Sequence, residues 1–457
     1  MSLIKSIAGI RGTIGGKIGD NLTPIDVVNF SAAFGLLIIN KNPNSITKIV
    51  IGRDARITGP ILSSLVSNTL ISLGINVVDL KLASTPTISM AVIKEKASGG
   101  IILSASHNPA NWNALKLLNS KGEFISFNDG LELEKIINLK QYEFANHQKL
   151  GSYINKYNYL NTHIDSILSL DLINVSLIKS MNFKIVVDGI NSVGGVAVPK
   201  LLDKLGVEVV KLNCDPTGNF SHNPEPLAEN IKELCSVVVQ NKADLGIVVD
   251  PDVDRLAFVD ENGIPFGEEY TLVACSDYVL SKKPGNTVSN LSSTKALKIV
   301  TEKYNKNYYA SAVGELNVVE MMKKKNAVIG GEGNGGVILP ELHYGRDALI
   351  GIALFLSLIS ERNKNVSSLK NKYPIFYMNK SKLDLKDENV IEEKMNMIIN
   401  KYSKYKPITI DGIKINFTDS WIHLRKSNTE PVIRLYSEAK TKSDANSLIK
   451  KFIKEII

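Results

Sequence analysis

Cysteine is scarce in this 457-residue chain, with only Cys214, Cys235 and Cys275. Three widely spaced cysteines exclude a disulfide framework and a CxxC metal site, and they are typical of a reducing compartment. No apolar run approaches the ~18 residues that a membrane span requires. The N-terminus, which lacks a cleavage-type site, does not resemble a signal peptide. We therefore expect a cytoplasmic protein without a membrane partner.

Arginine is also scarce. Only eight of the 54 basic residues are arginine, and only Arg362 lies in a plain surface-like segment. The net charge of +8 comes from scattered lysines without a basic, aromatic-rich stripe, so we expect no nucleic-acid partner. Arginine is the side chain best suited to planar, bidentate oxyanion recognition. Its restriction to turn-like motifs indicates an anionic small molecule, most simply a phosphate, as the ligand.

Strand-like and helix-like patterns alternate along the chain, which is too long for one hydrophobic core. Helices are predicted at 24–41, 59–74, 86–96, 193–205, 227–240, 268–282, 294–304, 346–361 and 441–455, with a long polar helical stretch over 128–180. Strands are predicted at 48–52, 75–80, 100–105, 115–119, 184–189, 207–213, 245–250, 408–417 and 432–439. The pattern predicts an α/β protein with mixed or parallel sheets and a smaller α+β unit at the end. We place the boundaries at 1–152, 153–261, 262–370 and 371–457.

The stretch "LGIVVDPDVDRLAFVD" (245–260) carries the strongest chemical signal. Asp250, Asp252 and Asp254 alternate directly after a buried-type strand, and three carboxylates in a tight loop can converge on Mg²⁺. The plain alternative is an acidic turn. An EF-hand is excluded because Arg255 stands where glycine is required. An aspartyl-phosphate phosphatase with Asp250 as nucleophile remains open.

A second motif, "SASHNP" (104–109), ends a strand on Ser106 and His107. No GxSxG elbow surrounds the serine, which argues against an ester hydrolase. On its own the motif is most simply a capped turn. Beside a magnesium site and several arginines, however, a strand-end hydroxyl can carry a phosphoryl group.

Two further loops offer groups for a phosphorylated sugar. In "GGEGNGG" (330–336) a dinucleotide site is excluded because a strand follows, whereas Glu332 and Asn334 suit sugar hydroxyls; a plain turn is the alternative. The stretch "RKSNTEPVIR" (425–434) resembles an anion cradle, and a polar capped loop is its alternative. Its candidate phosphate ligands are Arg425, Ser427, Asn428, Thr429 and Arg434.

The remaining motifs are individually weak: "GIRG" (9–12), "GRDAR" (52–56), "SHNPEP" (221–226) and "GRDAL" (345–349). Each is compatible with a plain glycine-containing turn. Among the six histidines only His107 lies in a functional motif. His222 caps a turn, and the other four are interpreted as surface or structural residues.

Taken together and in this order, "GIRG", "SASHNP" with "NWNALK", "DPDVDR", "GGEGNGG" and "RKSNTEPVIR" resemble the α-D-phosphohexomutase family over nearly the whole chain. The resemblance implies three related α/β domains and a smaller phosphate-binding domain around a central cleft. It implies one Mg²⁺ per subunit on the aspartates and Ser106, with Ser106 as a phosphoserine. Arg11, His107, Lys116 and Arg255 would line the reacting centre.

The implied activity is a reversible mutase that uses a hexose bisphosphate intermediate and a hexose bisphosphate activator. The family's sugar-loop serine and following Gly-His are replaced by Asn334 and two glycines, and Glu315 stands where a histidine is common. The E-x-N-G-G form is similar to the phosphoglucosamine mutase branch. We therefore expect a glucosamine phosphate substrate, with a phosphoglucomutase/phosphomannomutase as the alternative. An Asp250 phosphatase and an inactive sugar-phosphate binder are less favoured, and the oligomeric state is a monomer or homodimer.

Overall fold

The computed structural model describes residues 2–6, 9–43, 45–384, 388–426 and 432–456. The chain forms two compact units, one of Met1–Thr271 with Gly335–Ser367 and one of Leu272–Asn334 with Ser368–Ile457. Within the described ranges, no helix has both the length and the apolar character needed to cross a membrane.

The first unit begins with a seven-stranded mixed sheet of order β1-β2-β6-β5-β3-β4-β7. Its strands are β1 (Ile4–Ser6), β2 (Gly9–Thr13), β3 (Lys48–Arg53), β4 (Asn76–Leu82), β5 (Gly99–Leu103), β6 (Trp112–Asn119) and β7 (Tyr153–Asn155). Its helices are α1 (Pro24–Lys41), α2 (Gly59–Ser72), α3 (Thr85–Lys94) and α4 (Phe127–Leu139). Because β3 and β5 are parallel neighbours, the residues that follow them emerge at one edge of the sheet.

Helix α1 shows how local sequence defines an element. It begins at Pro24, as predicted, and Thr23 and Asp26 form a reciprocal capping box. Its inward side packs Phe30, Phe34 and Leu37 into the apolar core beneath the sheet.

The continuous helical stretch predicted over 128–180 is wrong. Helix α4 ends at Leu139, and Tyr153–Asn155 pairs in parallel with β4 as an edge strand. At Gly151 a Cβ atom would lie 2.0 Å from the Ile75 carbonyl oxygen, so the chain passes too close to the sheet for a helix. The helices α5 (Tyr159–Leu168) and α6 (Val175–Ser180) follow.

A four-stranded sheet of order β11-β10-β8-β9 completes most of the first unit. It contains β8 (Lys184–Asp188), β9 (Glu208–Leu212), β10 (Leu245–Val249) and β11 (Leu256–Val259), with helices α7 (Gly194–Lys204) and α8 (Lys232–Gln240). Helix α8 starts later than the predicted residue 227, because the Asn230 side chain donates to the Glu225 carbonyl (2.8 Å) and keeps the chain in turns. Strand β10 is buried throughout and leads directly into the aspartate loop.

The remaining elements follow in chain order: α9 (Glu268–Lys282), β12 (Asn286–Asn290), α10 (Ala296–Lys303), β13 (Tyr308–Ser311), α11 (Glu315–Lys325), β14 (Ala327–Glu332), β15 (Gly336–Ile338), α12 (Ala348–Arg362) and α13 (Val366–Lys370). In the second unit, β12 pairs in parallel with both β13 and β14. The side chain of Asp347 caps α12 through the amides of Leu349 and Ile350.

The C-terminal part of the second unit is an antiparallel sheet of order β16-β19-β18-β17. It contains β16 (Tyr377–Asp384), β17 (Ile413–Asn416), β18 (Trp421–Lys426) and β19 (Val432–Ala439), with α14 (Glu388–Lys401), the 3₁₀ turn Ser403–Tyr405 and α15 (Lys442–Ile456). The strand predicted at 408–417 is shorter than expected, because Gly412 adopts a left-handed φ of 70° and interrupts it. The predicted fold class, α/β units followed by an α+β unit, is confirmed, while the central cleft stays a prediction.

Candidate active site

The loop that follows β5 is held by one buried arginine, Arg56. Its guanidinium donates to four main-chain carbonyl oxygens, those of Ser106 (2.6 Å), Asn108 (2.7 Å), Pro109 (2.5 Å) and Trp112 (2.9 Å). Asp54 accepts from the Arg56 Nε at 3.1 Å and from the Ser104 hydroxyl at 2.6 Å. The "GRDAR" turn at the end of β3 is therefore a clamp on the neighbouring serine loop.

Ser106 occupies a constrained position in that loop. Its φ of +50° lies in the left-handed region that non-glycine residues seldom adopt. The Ser106 main-chain amide donates to the Ser104 hydroxyl (3.0 Å), and the Ser106 hydroxyl donates to the Asp250 carboxylate at 2.6 Å. The clamp thus holds the hydroxyl in an orientation that a relaxed loop would not maintain.

The aspartate loop connects β10 to β11 and presents three fully buried carboxylates, those of Asp250, Asp252 and Asp254. Each offers an oxygen within 4.8 Å of the others. One Asp250 oxygen accepts from the amides of Asp254 and Arg255, both at 3.0 Å, which curls the loop around it. Oδ1 of Asp252 and Oδ1 of Asp254 are buried, and no described residue donates a hydrogen bond to either. An all-oxygen set with two buried lone acceptors fits a hard divalent cation.

Basic side chains surround the carboxylates. Lys116 on β6 lies 2.6 Å from Asp252 and 3.7 Å from Asp254, while Arg346 donates to Asp254 at 2.7 Å. Burial opposes the charged form of Lys116, but the two carboxylates outweigh it and raise the lysine pKa. Burial and the two neighbouring aspartates raise the pKa of Asp250. The site is therefore a compact array of alternating charges with little exposure to water.

A cavity of about 260 Å³ opens onto this array. The structure brings five of the sequence-predicted residues together on its wall: Arg11, Ser106, His107, Lys116 and Arg255. Nδ1 of His107 lies 3.5 Å from the Ser106 hydroxyl. Burial and the surrounding cations hold the pKa of His107 well below its usual range, so the ring is neutral. The wall thus combines a nucleophilic hydroxyl, a neutral base and several fixed positive charges.

In the second unit, Glu332 lies at the end of β14 and is buried. Its Oε1 accepts from the Asn290 amide at 2.7 Å and from the Gly314 main-chain N–H at 3.1 Å. The Ser293 hydroxyl accepts from the neighbouring Gly333 amide (3.0 Å). Asn334 follows as a half-buried residue. Glu332 is consequently held by two strand-end loops of the same sheet.

The C-terminal sheet carries the candidate phosphate arginines. Arg425 on β18 and Arg434 on β19 are direct cross-strand partners, and Lys382 on β16 is opposite Arg434 on its other side. Asp411 accepts from Arg425 Nε (2.9 Å) and from the Val313 amide (2.8 Å). Like charges placed opposite one another destabilise a sheet, which favours an anion at this basic row. Ser427, Asn428 and Thr429 lie outside the described residues.

Several residues of the site escaped the sequence reasoning. Thr85, at the start of α3, donates to Asp252 at 2.5 Å, and Glu225 pairs with Arg255 at 3.0 Å. Arg346, Arg56 and Glu225 come from three of the four motifs described above as weak, so the signal was their shared pattern of charge beside a turn. Lys382 and Asp411 carried no signal, because cross-strand pairing with Arg434 places Lys382 and the bend before β17 places Asp411.

Three histidines interpreted as surface or structural residues, His163, His343 and His423, prove to be buried. The rings of His163 and His343 both lie within hydrogen-bond distance of the Asp347 carboxylate, at 2.8 and 3.2 Å. These contacts tie α5 to the N-terminus of α12. His222, interpreted as a turn cap, lies 2.9 Å from Asp188.

Four family models match successive parts of the chain. They describe phosphoglucomutase/phosphomannomutase alpha/beta/alpha domain I over residues 4–143, domain II over 161–263, domain III over 267–376 and the C-terminal domain over 378–455.

Relatives and solved structures cover nearly all of the chain. A phosphoglucomutase/phosphomannomutase of Thermococcus kodakarensis is 33% identical over 448 residues, covering 97% of each chain. A phosphoglucosamine/phosphogalactosamine mutase of Sulfurisphaera tokodaii is 33% identical over 456 residues, covering 98% of each. A crystal structure of a phosphoglucomutase/phosphomannomutase family protein from Burkholderia thailandensis matches with a TM-score of 0.83 and 25% identity, covering 98% of this chain and 96% of that one. The chain therefore belongs to the phosphoglucomutase/phosphomannomutase family of α-D-phosphohexomutases, whose members are isomerases that act on sugar phosphates.

Proposed function

We propose that this phosphohexomutase interconverts glucosamine 6-phosphate and glucosamine 1-phosphate through a phosphorylated Ser106. The observation that carries the proposal is the Ser106 hydroxyl, 2.6 Å from Asp250, on the wall of a cavity shared with Lys116, Arg255 and Arg346. Phosphoryl transfer depends chiefly on positioning and on charge stabilisation, and these groups supply both.

In each direction, the P–O bond to Ser106 breaks as a sugar hydroxyl oxygen bonds to phosphorus. The proton of that sugar hydroxyl passes to the Ser106 oxygen, which becomes a hydroxyl again. The product of this step is a hexose bisphosphate. Neutral His107, 3.5 Å from that oxygen, is placed to carry the proton. The other phosphate of the reoriented bisphosphate then returns to Ser106. A hexose bisphosphate from solution would activate an unphosphorylated enzyme in the same manner.

Asp250, Asp252 and Asp254 would hold one Mg²⁺ per subunit, with an oxygen of the phosphorylated Ser106 as a further ligand. When bound, Mg²⁺ neutralises negative charge on the phosphoryl oxygens. Lys116, Arg255 and Arg346 add fixed positive charge at the same cavity. Thr85 and Lys116 hold Asp252 in place by hydrogen bonds, so the chain itself positions the carboxylates before any ligand binds.

The second unit carries the recognition groups of the proposal. Glu332 and Asn334 would bind sugar hydroxyls, while Arg425, Ser427, Asn428, Thr429 and Arg434 would hold the substrate's phosphate. The E-x-N-G-G form of the sugar loop and the relative named phosphoglucosamine/phosphogalactosamine mutase favour an amino sugar. The relative named phosphoglucomutase/phosphomannomutase keeps glucose and mannose phosphates as the second candidate. We also propose four domains at 1–152, 153–261, 262–370 and 371–457.

The geometry favours a mutase over an Asp250 phosphatase. Ser106 lines the cavity, whereas Asp250, which accepts from the Ser106 hydroxyl and from two main-chain amides, is not among the lining residues. A nucleophilic carboxylate would require an oxygen directed at the substrate.

The decisive experiment assays purified protein with Mg²⁺ and a trace of hexose bisphosphate on glucosamine, N-acetylglucosamine, glucose and mannose phosphates. We expect the highest kcat/KM for glucosamine phosphates, no release of inorganic phosphate, and a mass increase of ~80 Da on the peptide that contains Ser106. Ser106→Ala should abolish turnover, whereas Ser120→Ala, at an exposed residue of the turn after β6, should not. Turnover that survives in Ser106→Ala would refute the mechanism, and a preference for glucose or mannose phosphate would refute the assigned sugar.

A further inference from the structure

A second cavity, of about 390 Å³, lies in the first unit and shares no lining residue with the first. Its walls come from the end of β3, one side of α2, the end of β4 and β7. Arg53, Lys81, Ser64 and Tyr153 supply polar groups to it. Its volume is in the range of small-molecule sites.

Lys81 reaches this cavity because β4 contains a bulge. Ile51 pairs with Asp79, but Arg53 pairs with Leu82, so β4 holds one residue more than β3 over this stretch. Lys81 is the bulged residue. Its φ is +60°, and its amide donates to Oδ1 of Asp79 at 2.7 Å. Bulges of this kind redirect a side chain, and a strained lysine is retained only where the surroundings enforce it.

The carboxylate beside the cavity, that of Asp79, already has hydrogen-bond and charge partners. Asp79 is fully buried and accepts from the Tyr153 hydroxyl (2.6 Å) and the Ser63 hydroxyl (3.3 Å), while Lys81 Nζ lies 3.1 Å from it. Lys81 Nζ also donates to Tyr153 at 2.7 Å. Of its three ammonium hydrogens, one is left for a ligand.

Arg53 adds a positive charge that forms no salt bridge within the described part of the chain, although Asp54 and Asp79 lie close enough to act on its pKa. Its Nη1 donates to the Asp54 carbonyl at 3.0 Å, and among the described residues its Nε and Nη2 have no acceptor. The carboxylate of Asp54 is matched to Arg56 instead. The Asn68 amide donates to the Ser64 hydroxyl oxygen (3.3 Å), and the Ser64 hydrogen has no acceptor in the described chain. Arg53, Lys81 and Ser64 therefore each offer hydrogen-bond donors to this cavity that no described residue accepts.

We propose that this cavity binds the phosphate group of a small phosphorylated metabolite, at a site separate from the one that carries Ser106. Arg53 supplies a planar pair of N–H donors, Lys81 an ammonium and Ser64 a hydroxyl, which is the donor set that recognises phosphate. The exposed position of Ser64 on α2 provides the entrance.

The test titrates inorganic phosphate into the full-length protein by calorimetry in a chloride buffer. Wild type should show a binding event that the double variant Arg53→Met/Lys81→Met weakens at least tenfold. The matched double variant Arg362→Met/Lys94→Met makes the same two changes outside the cavity and should retain that event. Ser64→Asp, an exposed helix substitution that should fold normally, places a negative charge at the entrance and should weaken the same event. Equal affinity in all four proteins would overturn the proposal.

This result is independent of the proposed mutase activity. Because Ser64 lies outside both the Ser106 cavity and the GRDAR clamp, Ser64→Asp should keep wild-type turnover. A protein that fails every mutase assay but shows the phosphate-binding pattern would refute the function and leave the second site intact.

Discussion

The two parts of the molecule that carry charged site residues are built in different ways. Around Ser106, the clamp residues Asp54 and Arg56 are almost fully buried and fully hydrogen-bonded. On the C-terminal sheet, Arg425 is half-buried and Arg434 exposed, and the two arginines are cross-strand partners. Asp411 accepts a hydrogen bond from Arg425. Reacting groups require a rigid, dry environment, whereas residues that hold a phosphate retain unused donors.

If this contrast is correct, removal of Arg56 should have the largest effect on the stability of the protein. Arg56→Met leaves the buried Asp54 carboxylate without its cationic partner and removes the guanidinium donors of four carbonyls, so we expect a local loss of about 3–5 kcal/mol in the free energy of unfolding. Hydrogen exchange of peptides covering residues 99–119 measures that loss, and mutase turnover should fall with it.

Arg56→Lys is the conservative version of this change. A single ammonium cannot reach four carbonyls and a carboxylate together, so this variant should also be destabilised. Arg362→Met, which removes an arginine at the end of α12, is the control. Protection of residues 99–119 that is unchanged in Arg56→Met would contradict the clamp.

A smaller effect is expected from removal of divalent cations. Asp252 and Asp254 each have a buried oxygen to which none of the described residues donates, which fits a bound cation. Mg²⁺ at 100 times its Kd should then stabilise the first unit by about 2.7 kcal/mol. Thermal unfolding with Mg²⁺ and with EDTA measures this difference. Asp254→Asn should abolish the response, and Asp165→Asn, at an exposed carboxylate on α5, should preserve it. An EDTA-insensitive unfolding temperature would refute the metal site.

The C-terminal arginines should show the opposite behaviour to Arg56. Arg434→Met removes a charge-assisted contact to the substrate's phosphate, so KM should rise about tenfold. Stability should stay constant or increase by a few tenths of a kcal/mol, because a like-charged cross-strand pair disappears. Steady-state kinetics measures the change in KM, and urea unfolding measures the change in stability. A clear loss of stability at unchanged KM would show that Arg434 is structural.

The sequence predicted the helices and central strands of the first unit well where local signals agreed. Thr23, Pro24 and Asp26 define the start of α1 without help from the rest of the fold. The segment 140–158 was assigned wrongly, because its strand depends on pairing with β4 and its path on Gly151 lying against Ile75. Polar composition alone does not contain that information.

The candidate site shows the same division. Ser106 and the three aspartates follow buried strands directly, so motif and strand pattern were sufficient to select them. Arg56, Thr85 and Arg346 act through hydrogen bonds to residues 50 to 167 positions away in sequence, which only the folded chain reveals. The positive φ of Ser106 was equally hidden, because nothing in "SASHNP" demands it.

The smallest predicted effect concerns His423, a buried titratable residue of the C-terminal sheet that also carries Arg425 and Arg434. Burial and the charges of Lys414 and Arg425, against the opposing influence of Asp411, lower the pKa of His423 to about 4. Its Nε2 donates to the Asp411 carbonyl (2.6 Å) and its Nδ1 lies 2.9 Å from the Ser292 hydroxyl, so the folded state holds the neutral ring.

Because the unfolded chain binds a proton near pH 6.5 and the folded chain does not, this contribution is complete above pH 6.5 and is lost as the pH falls toward 4. Between pH 7 and 5.5 the loss should be about 1 kcal/mol. Urea unfolding in a Trp112→Phe background, where Trp421 is the remaining tryptophan, follows this sheet alone. His423→Gln can keep both hydrogen bonds without titrating, so its stability should depend less on pH by that amount. If the stability of wild type and of His423→Gln changes equally with pH, the C-terminal sheet does not hold His423 neutral. The contrast with the buried Ser106 region would then apply to Arg425 and Arg434 alone.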